Sequence, residues 1–175
     1  MTAFTPFAHY GRGLIYRMLA VSYAPLLQEL QADKVTELFA DWQAYDTAVF
    51  EEPDTIGGSG FVTSMNGHVI GFASWNPTSW PAVGILGHNC ILPEYQGQGY
   101  GQLQIGEILG RFTRAGFTRA RVQTDEHPFF AAARTMYEDC GFVEVARYPG
   151  ELFDKYQMIE YERALGCDTT VNPRS

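Results

Sequence analysis

The chain has 175 residues, of which 46% are hydrophobic and 18% are charged, and its net charge is −8. This composition is typical of one globular domain rather than a disordered chain, and the acidic balance argues against a nucleic-acid partner. No apolar run spans a membrane, no secretory signal pattern opens the chain, and the cysteines and histidines lack disulfide or zinc spacing, so we expect a reduced, cytoplasmic protein with no membrane contact and no metal.

The first third of the chain predicts one short strand followed by helices. The strand is expected over Phe4–His9, and the helices over Leu14–Val21, Leu26–Leu30 and Lys34–Phe50. Asp33 has the residue type that N-caps prefer, so it is expected to cap the third of these helices. Apolar residues recur in that helix at three- and four-residue steps, which favours packing against a core. A role as the wall of a substrate cleft is the alternative.

The middle of the chain predicts an antiparallel meander that leads into a helix. Strands are expected over Gly60–Met65 and His68–Trp75, because the dipeptide Asn66-Gly67 between them is a strong hairpin signal. A third strand is expected over Ala82–Ile91, and a helix over Gln102–Ala115.

The last third predicts a parallel crossover and a closing pair of strands. The run Arg119–Thr124 reads as a strand that follows the helix, which implies a parallel connection. Pro128 marks the first turn of another helix. Antiparallel strands are expected over Phe142–Tyr148 and Leu152–Tyr161, and a frayed polar tail over 166–175. We expect a single domain over residues 1–165.

The loop between the third strand and its helix is rich in glycine. Gly97, Gly99 and Gly101 alternate with Gln98 and Tyr100. Glycine lets backbone N–H groups converge on one concavity, and the helix N-terminus behind adds free N–H groups and a positive dipole end. The pattern fits neither a dinucleotide fingerprint nor a P-loop, because position 102 is glutamine and the loop has no lysine. It predicts a phosphate or pyrophosphate site, with a turn that binds nothing as the alternative.

Two motifs resemble those of the GNAT family of N-acetyltransferases. Ile91–Gly101 (I-L-P-E-Y-Q-G-Q-G-Y-G) matches the family's V-x-P-x-x-Q/R-x-x-G-x-G/A, and Ala133–Phe142 (A-R-T-M-Y-E-D-C-G-F) matches its A-x-x-x-Y-x-x-x-G-F. The order of predicted elements is also similar. The resemblance implies an α/β fold of the α+β type, in which helices flank a mixed, mostly antiparallel sheet with a splayed parallel strand pair. It further implies acetyl-CoA as co-substrate and a small-molecule or peptide amine as acceptor, and it leaves a homodimer open.

The resemblance also implies roles for matching residues. The backbone amides of Asn89, Cys90 and Ile91 would pair with the pantetheine arm of the coenzyme, and Tyr137 would reach its sulfur. The pyrophosphate would be wrapped by Gln96, Gly97, Gln98, Gly99, Tyr100, Gly101 and Gln102. One position departs from the family, because Phe130 stands where an asparagine often contacts the coenzyme. Glu126 or His127 could replace that contact.

The general base is left open between two residues. A primary amine is mostly protonated at neutral pH, so a base or a water chain must remove its proton. The strand before the glycine loop carries no carboxylate, and His88 is its candidate. Asp125 stands twelve residues before Tyr137, a placement that some relatives use. An ordinary solvated or capping role is the alternative for both. Cys90 could suggest an acyl-cysteine route, but a small buried residue explains it better.

Together these features predict an acetyl-CoA-dependent N-acetyltransferase that transfers the acetyl group directly to a primary amine in a ternary complex. The first alternative is a non-catalytic acyl-CoA-binding or regulatory module with the same fold. The second is a structural domain whose loop is vestigial.

Overall fold

A seven-stranded sheet organises residues 1–78 and 83–166, which are the residues that the computed structural model describes. The strands are β1 (Thr2–Pro6), β2 (Gly60–Met65), β3 (His68–Trp75), β4 (Val83–Ile91), β5 (Arg119–Asp125), β6 (Val143–Pro149) and β7 (Gln157–Ala164). The helices are α1 (Leu14–Ser22), α2 (Ala24–Leu27), α3 (Ala32–Glu51), α4 (Tyr100–Arg114) and α5 (Ala131–Asp139). The spatial order of the strands is β1-β2-β3-β4-β5-β7-β6.

The sheet is antiparallel except where β4 meets β5. These two strands pair in parallel only over Val83–Ile85 and Arg119–Arg121. Beyond that register they diverge, so the carboxyl half of β4 has no strand partner on its β5 side in the part of the chain that the structure describes. The structure confirms the predicted mixed sheet with a splayed parallel pair.

The predicted β2–β3 hairpin is also confirmed. Asn66 and Gly67 both have positive φ, at 50° and 84°, as a tight two-residue hairpin turn requires. Asparagine and glycine are the residues that adopt this conformation at least cost.

Several predicted boundaries are wrong, and one of them is the second helix, which spans Ala24–Leu27 rather than Leu26–Leu30. The first strand ends at Pro6 rather than His9, because Phe7 opens a 3₁₀ turn and buries its ring completely. Helix α3 begins at Ala32 with Gln31 as its N-cap, so Asp33 lies inside the first turn, where Oδ1 accepts from the Lys34 N–H. The run 152–156 is a loop, and β7 instead begins at Gln157 to pair with the full length of β5. Ala82 and the tail beyond 166 lie outside the described residues.

The sheet has a hydrophobic cluster on each face. Helices α4 and α5 cover one face, where Ile105, Ile108 and Phe112 pack against Phe61 and Val122. Helices α1 and α3 cover the other face, and that cluster includes Ile15, Leu19, Trp42, Phe72 and Cys90. Within the described ranges, no helix is both long and apolar enough to cross a membrane.

Asp46 on α3 holds the start of α1. Its carboxylate is 4% exposed and accepts from the N–H groups of Gly13, Ile15 and Tyr16, at 2.6, 2.9 and 3.2 Å. A carboxylate at a helix N-terminus satisfies free donors and complements the helix dipole. This contact fixes α1, whose far end carries Ser22 and Tyr23 to the cleft described next.

Candidate active site

A cleft of about 620 Å³ lies between the open edge of β4, the start of α4 and one face of α5. Asn89, Cys90 and Ile91 line it from β4, and every residue from 96 to 102 except Gln98 lines it from the glycine loop. The end of α1 and the start of α2 close it with Ser22, Tyr23 and Pro25. The cleft thus opens where β4 and β5 diverge.

The glycine loop presents free backbone donors to this cleft. In the described structure, the N–H groups of residues 97–102 have no acceptor, and the first bond of α4 runs from Leu103 N to Gly99 O. Gly97 and Gly99 have φ of 70° and 83°, and a Cβ at either position would meet open space. The loop is therefore a concave array of amides at a helix N-terminus, which is a site for an anion.

The glutamine side chains of the loop brace it through hydrogen bonds. The Gln96 Nε2 donates to the Ile91 carbonyl at 2.8 Å, and the Gln98 Nε2 donates to the Glu94 carbonyl at 3.2 Å. The Gln102 Nε2 donates to the Asp139 Oδ2 at 3.2 Å and links α4 to α5. The loop thus offers its main chain, while these side chains hold its shape.

The end of β4 is anchored on one side and open on the other. Asn89, Cys90 and Ile91 pair with β3, so their free edge faces the cleft. Gln104 of α4 fixes this corner, because it is 1% exposed, accepts from the Thr63 hydroxyl at 2.6 Å and donates to the Phe72 carbonyl at 2.8 Å. The role of Gln104 was not predicted from the sequence. Its signal was a polar residue next to Ile105 in the apolar stripe of α4.

Tyr137 lies under the cleft and contacts it through Asn89. Its side chain is 3% exposed and packs against Phe142 and Tyr161. The Tyr137 hydroxyl accepts a hydrogen bond from the Asn89 Nδ2 at 3.1 Å. Burial raises the pKa of Tyr137, and the Asn89 hydrogen bond opposes that rise. The phenol is therefore protonated at neutral pH and is able to donate.

Aromatic rings occupy the place of the missing asparagine. Phe130 and Phe129 line the cleft with centroids 4.9 Å apart, and both pack against Tyr23, at 6.0 and 5.4 Å. Burial, with Cys90 and Tyr137 nearby, raises the pKa of Tyr23. This part of the wall is apolar.

Neither residue suggested as a substitute for that asparagine lines the cleft. The Glu126 Oε1 accepts from Arg147 at 2.8 Å, which ties it to β6. The His127 Nε2 is 3.1 Å from the Glu29 Oε2, and its ring stacks on Phe153 with centroids 4.5 Å apart. Glu126 therefore joins its loop to β6, and His127 joins the same loop to two others.

The two candidate bases differ in access. Part of His88 is exposed to solvent, but its ring packs 4.8 Å from that of Tyr45 on the α3 side of β4 and does not line the cleft. This packing removes enough water to lower the pKa of His88, although Asp41 partly offsets the effect. Asp125 is 2% exposed at the end of β5, and its Oδ1 accepts from the His127 N–H at 2.7 Å. The Asp125 Oδ2 is buried and has no partner among the described residues.

Cys90 is suited to packing rather than to nucleophilic attack. It is 8% exposed, and burial raises the pKa of its thiol to about 12. A thiol rather than a thiolate is present at neutral pH, and the thiolate is the nucleophile.

The cleft fits the co-substrate that the motifs imply. One end offers uncommitted amides to a pyrophosphate, and the open edge of β4 offers main-chain groups to an extended arm that carries amides. Glycine at positions 97 and 99 leaves room for a close approach to the backbone. Acetyl-CoA combines these features, since it has a pyrophosphate, a pantetheine arm and a terminal thioester.

Comparison with known proteins gives the same family. A model of the acetyltransferase (GNAT) family matches residues 23–142. A search of curated protein sequences finds no match.

Solved structures show the same fold at low identity. A protein from Desulfovibrio desulfuricans assigned to the GNAT family is 18% identical with a TM-score of 0.66, over 95% of this chain and 100% of that one. RimL, a ribosomal L7/L12 alpha-N-protein acetyltransferase in complex with coenzyme A, is 12% identical with a TM-score of 0.68, over 94% of each chain. The microcin C7 self-immunity acetyltransferase MccE, in complex with acetyl-CoA and AMP, is 10% identical with a TM-score of 0.67, over 93% of this chain and 92% of that one.

Proposed function

The chain belongs to the GNAT acetyltransferase family, and on that premise we propose that it transfers an acetyl group from acetyl-CoA directly to a primary amine in a ternary complex. One observation carries the proposal. A single cleft has free backbone amides at one end and a buried phenol, reached through Asn89, at the other. The first feature suits the coenzyme pyrophosphate, and the second suits a leaving thiol.

Some residues of the cleft bind the coenzyme, and others take part in the acetyl transfer. The N–H groups of residues 97–102 hold the pyrophosphate, and the open edge of β4 aligns the pantetheine arm. Bound acetyl-CoA supplies a thioester that an amine can attack. Tyr137 holds a proton for the sulfur that leaves, since its phenol is protonated at neutral pH.

The amine must lose a proton, and His88 and Asp125 are the groups proposed for that task. His88 is accessible, and its lowered pKa keeps it neutral at pH 7, as a base must be. Asp125 is enclosed, but its Oδ2, which has no partner among the described residues, is free to accept a proton. The pH profiles described in the Discussion separate the two.

Two assays test the function. Free thiol is measured after mixing acetyl-CoA with a panel of small-molecule amines and of peptides with free N-termini, the latter chosen because RimL is an alpha-N-protein acetyltransferase. The melting temperature is measured with and without coenzyme A. Amine-dependent thiol release supports the enzyme. Stabilisation without release from any amine favours the non-catalytic acyl-CoA-binding module instead, and no stabilisation at all rejects coenzyme binding.

A further inference from the structure

The side chain of Asn89 has a partner that the family resemblance does not assign. The resemblance gives a role only to the backbone of this residue. In the structure the Asn89 side chain crosses the gap where β4 and β5 have separated, and its Nδ2 lies 3.1 Å from the hydroxyl oxygen of Tyr137 on α5. The two residues are 48 positions apart in the sequence.

The orientation of the Asn89 amide is fixed by a second contact. Its Nδ2 also lies 3.4 Å from the Gly87 carbonyl oxygen, which can only accept a hydrogen bond. The amide nitrogen therefore faces both atoms, and the Tyr137 oxygen is an acceptor. Its own O–H proton is left free, since the bond from Asn89 is the one that the described residues give this hydroxyl, and there the oxygen accepts.

We propose that the side-chain amide of Asn89 is a positioning group, which holds the Tyr137 oxygen as an acceptor so that the hydroxyl proton stays uncommitted and available to the leaving sulfur. The inference rests on the proposed acetyl transfer. Asn89 lines the cleft and Tyr137 lies behind it. The amide thus keeps the oxygen of a buried phenol in the accepting role and leaves its proton for donation.

The same hydrogen bond supports the proton transfer itself. When Tyr137 gives its proton to the departing sulfur, the O–H bond breaks, an S–H bond forms and an electron pair stays on the phenolate oxygen. Asn89 already donates to that oxygen, and a hydrogen bond to the charged form favours that form. Solvent returns the proton before the next turnover. Asn89 therefore offsets the effect of burial, which by itself makes the phenol a weaker acid.

Two substitutions separate this role from simple packing. Asn89→Leu removes the donor and keeps a similar size. Asn89→Asp reverses the hydrogen bond, because a carboxylate accepts and would engage the Tyr137 proton that the native amide leaves uncommitted. Gln123→Leu is the matched control, since it removes an exposed amide that contacts Glu160 on the neighbouring strand.

The test is a double-mutant cycle with Tyr137→Phe. We expect Asn89→Leu and Asn89→Asp each to lower kcat by about tenfold or more, since general-acid catalysis contributes 10²–10⁴-fold, with KM for acetyl-CoA near that of the parent. In the Tyr137→Phe background either change should alter kcat less than twofold. Equal losses with and without the Tyr137 hydroxyl would overturn the proposal, as would full activity of both single variants.

A measurement without coenzyme distinguishes failure of the proposed Asn89 role from failure of the proposed acetyl transfer. The melting temperatures of Asn89→Leu, Tyr137→Phe and the double variant should be non-additive, because the first change already breaks the contact. Additive shifts would contradict the contact and the proposal with it. A parent protein that stabilises with coenzyme A but releases no thiol would reject the acetyl transfer, and the catalytic role of Asn89 would fall with it even if the shifts were non-additive.

Discussion

The Tyr137 side chain contributes a buried ring and a hydroxyl, and one substitution separates them. Tyr137→Phe keeps the ring that packs against Phe142 and deletes only the hydroxyl. We predict that turnover falls by about 10²–10⁴-fold, the usual contribution of a general acid. The affinity for coenzyme A should stay near that of the parent. Steady-state thiol release and calorimetric titration measure the two quantities.

Tyr161→Phe provides the control for that substitution. Tyr161 is 2% exposed, its ring lies 6.3 Å from that of Tyr137, and its hydroxyl donates to Glu138 at 3.2 Å. The control removes a second phenol from the same cluster without touching Asn89. Parental turnover in Tyr137→Phe would contradict the assignment of the acid, and similar losses in both variants would indicate a packing effect.

The base is tested by the pH dependence of kcat/KM. If His88 takes the amine proton, activity falls as pH drops through its pKa, and because that pKa is lowered the fall should occur below about pH 6.5. His88→Ala should abolish this acid limb, whereas Asp125→Asn should leave it in place. The reverse result would assign proton removal to Asp125. An unchanged limb in both variants would leave ordered water as the base.

Local patterns predict only part of the site. The glycine loop and Tyr137 were found from the sequence, because their spacing over ten residues carries the information. The side-chain role of Asn89, the anchor Gln104 and the helix cap Asp46 were missed. Each of them bonds to a residue 30 or more positions away, so its partner is set by the tertiary fold. Asp46 and Gln104 are each a polar residue inside the apolar stripe of a helix, and this pattern could have indicated a buried hydrogen-bonding role.

At the scale of the elements, the start of α1 depends on α3. Asp46→Ala leaves the N–H groups of Gly13 and Ile15 without their acceptor in a buried position. Charge-assisted hydrogen bonds and helix caps suggest a loss of about 2–3 kcal/mol in the free energy of unfolding. Asp54→Ala, an exposed loop carboxylate, should change it by less than about 0.5 kcal/mol. Denaturant titration measures both, and a loss no larger than that of the control would contradict the role of Asp46.

The sequence predicted whether a segment forms a helix or a strand better than it predicted the residues at which that segment begins and ends. Asn66-Gly67 specifies the β2–β3 hairpin locally, since both residues tolerate positive φ. The start of β7 is instead set by pairing, as Met158 faces Asp125 and Gln157 faces Pro149 on the neighbouring strands. The loop before it needs Gly150, where a Cβ would lie 2.2 Å from the Tyr156 carbonyl oxygen. No periodicity in the sequence reveals that approach.

At the scale of the whole molecule, we propose that residues 1–165 form one folding unit. The two hydrophobic clusters lie on opposite faces of one sheet, and neighbouring residues of the same strand belong to different clusters. Phe61 and Ala73 belong to the cluster under α4 and α5, and Val62 and Phe72 belong to the cluster under α1 and α3. Loss of either cluster would expose the other. We predict one unfolding transition, with coincident curves from circular dichroism and tryptophan fluorescence. Two separated transitions would indicate separate domains.

The most direct test of the account is coenzyme A binding by calorimetry to the parent, Gly99→Val and Gly116→Val. Both glycines have nearly the same conformation, with φ of 83° and 86°, and at both a Cβ meets open space. The backbone strain should therefore be similar, about 1–2 kcal/mol. Only Gly99 lines the cleft, while Gly116 follows the other end of α4.

The parent should bind coenzyme A, Gly116→Val should bind it with parental affinity, and Gly99→Val should lose more than about tenfold, or ~1.4 kcal/mol. The valine side chain would occupy the space that a phosphate needs to reach the amides of residues 97–102. Parental affinity in Gly99→Val, or an equal loss in Gly116→Val, would contradict the claim that this loop holds the coenzyme.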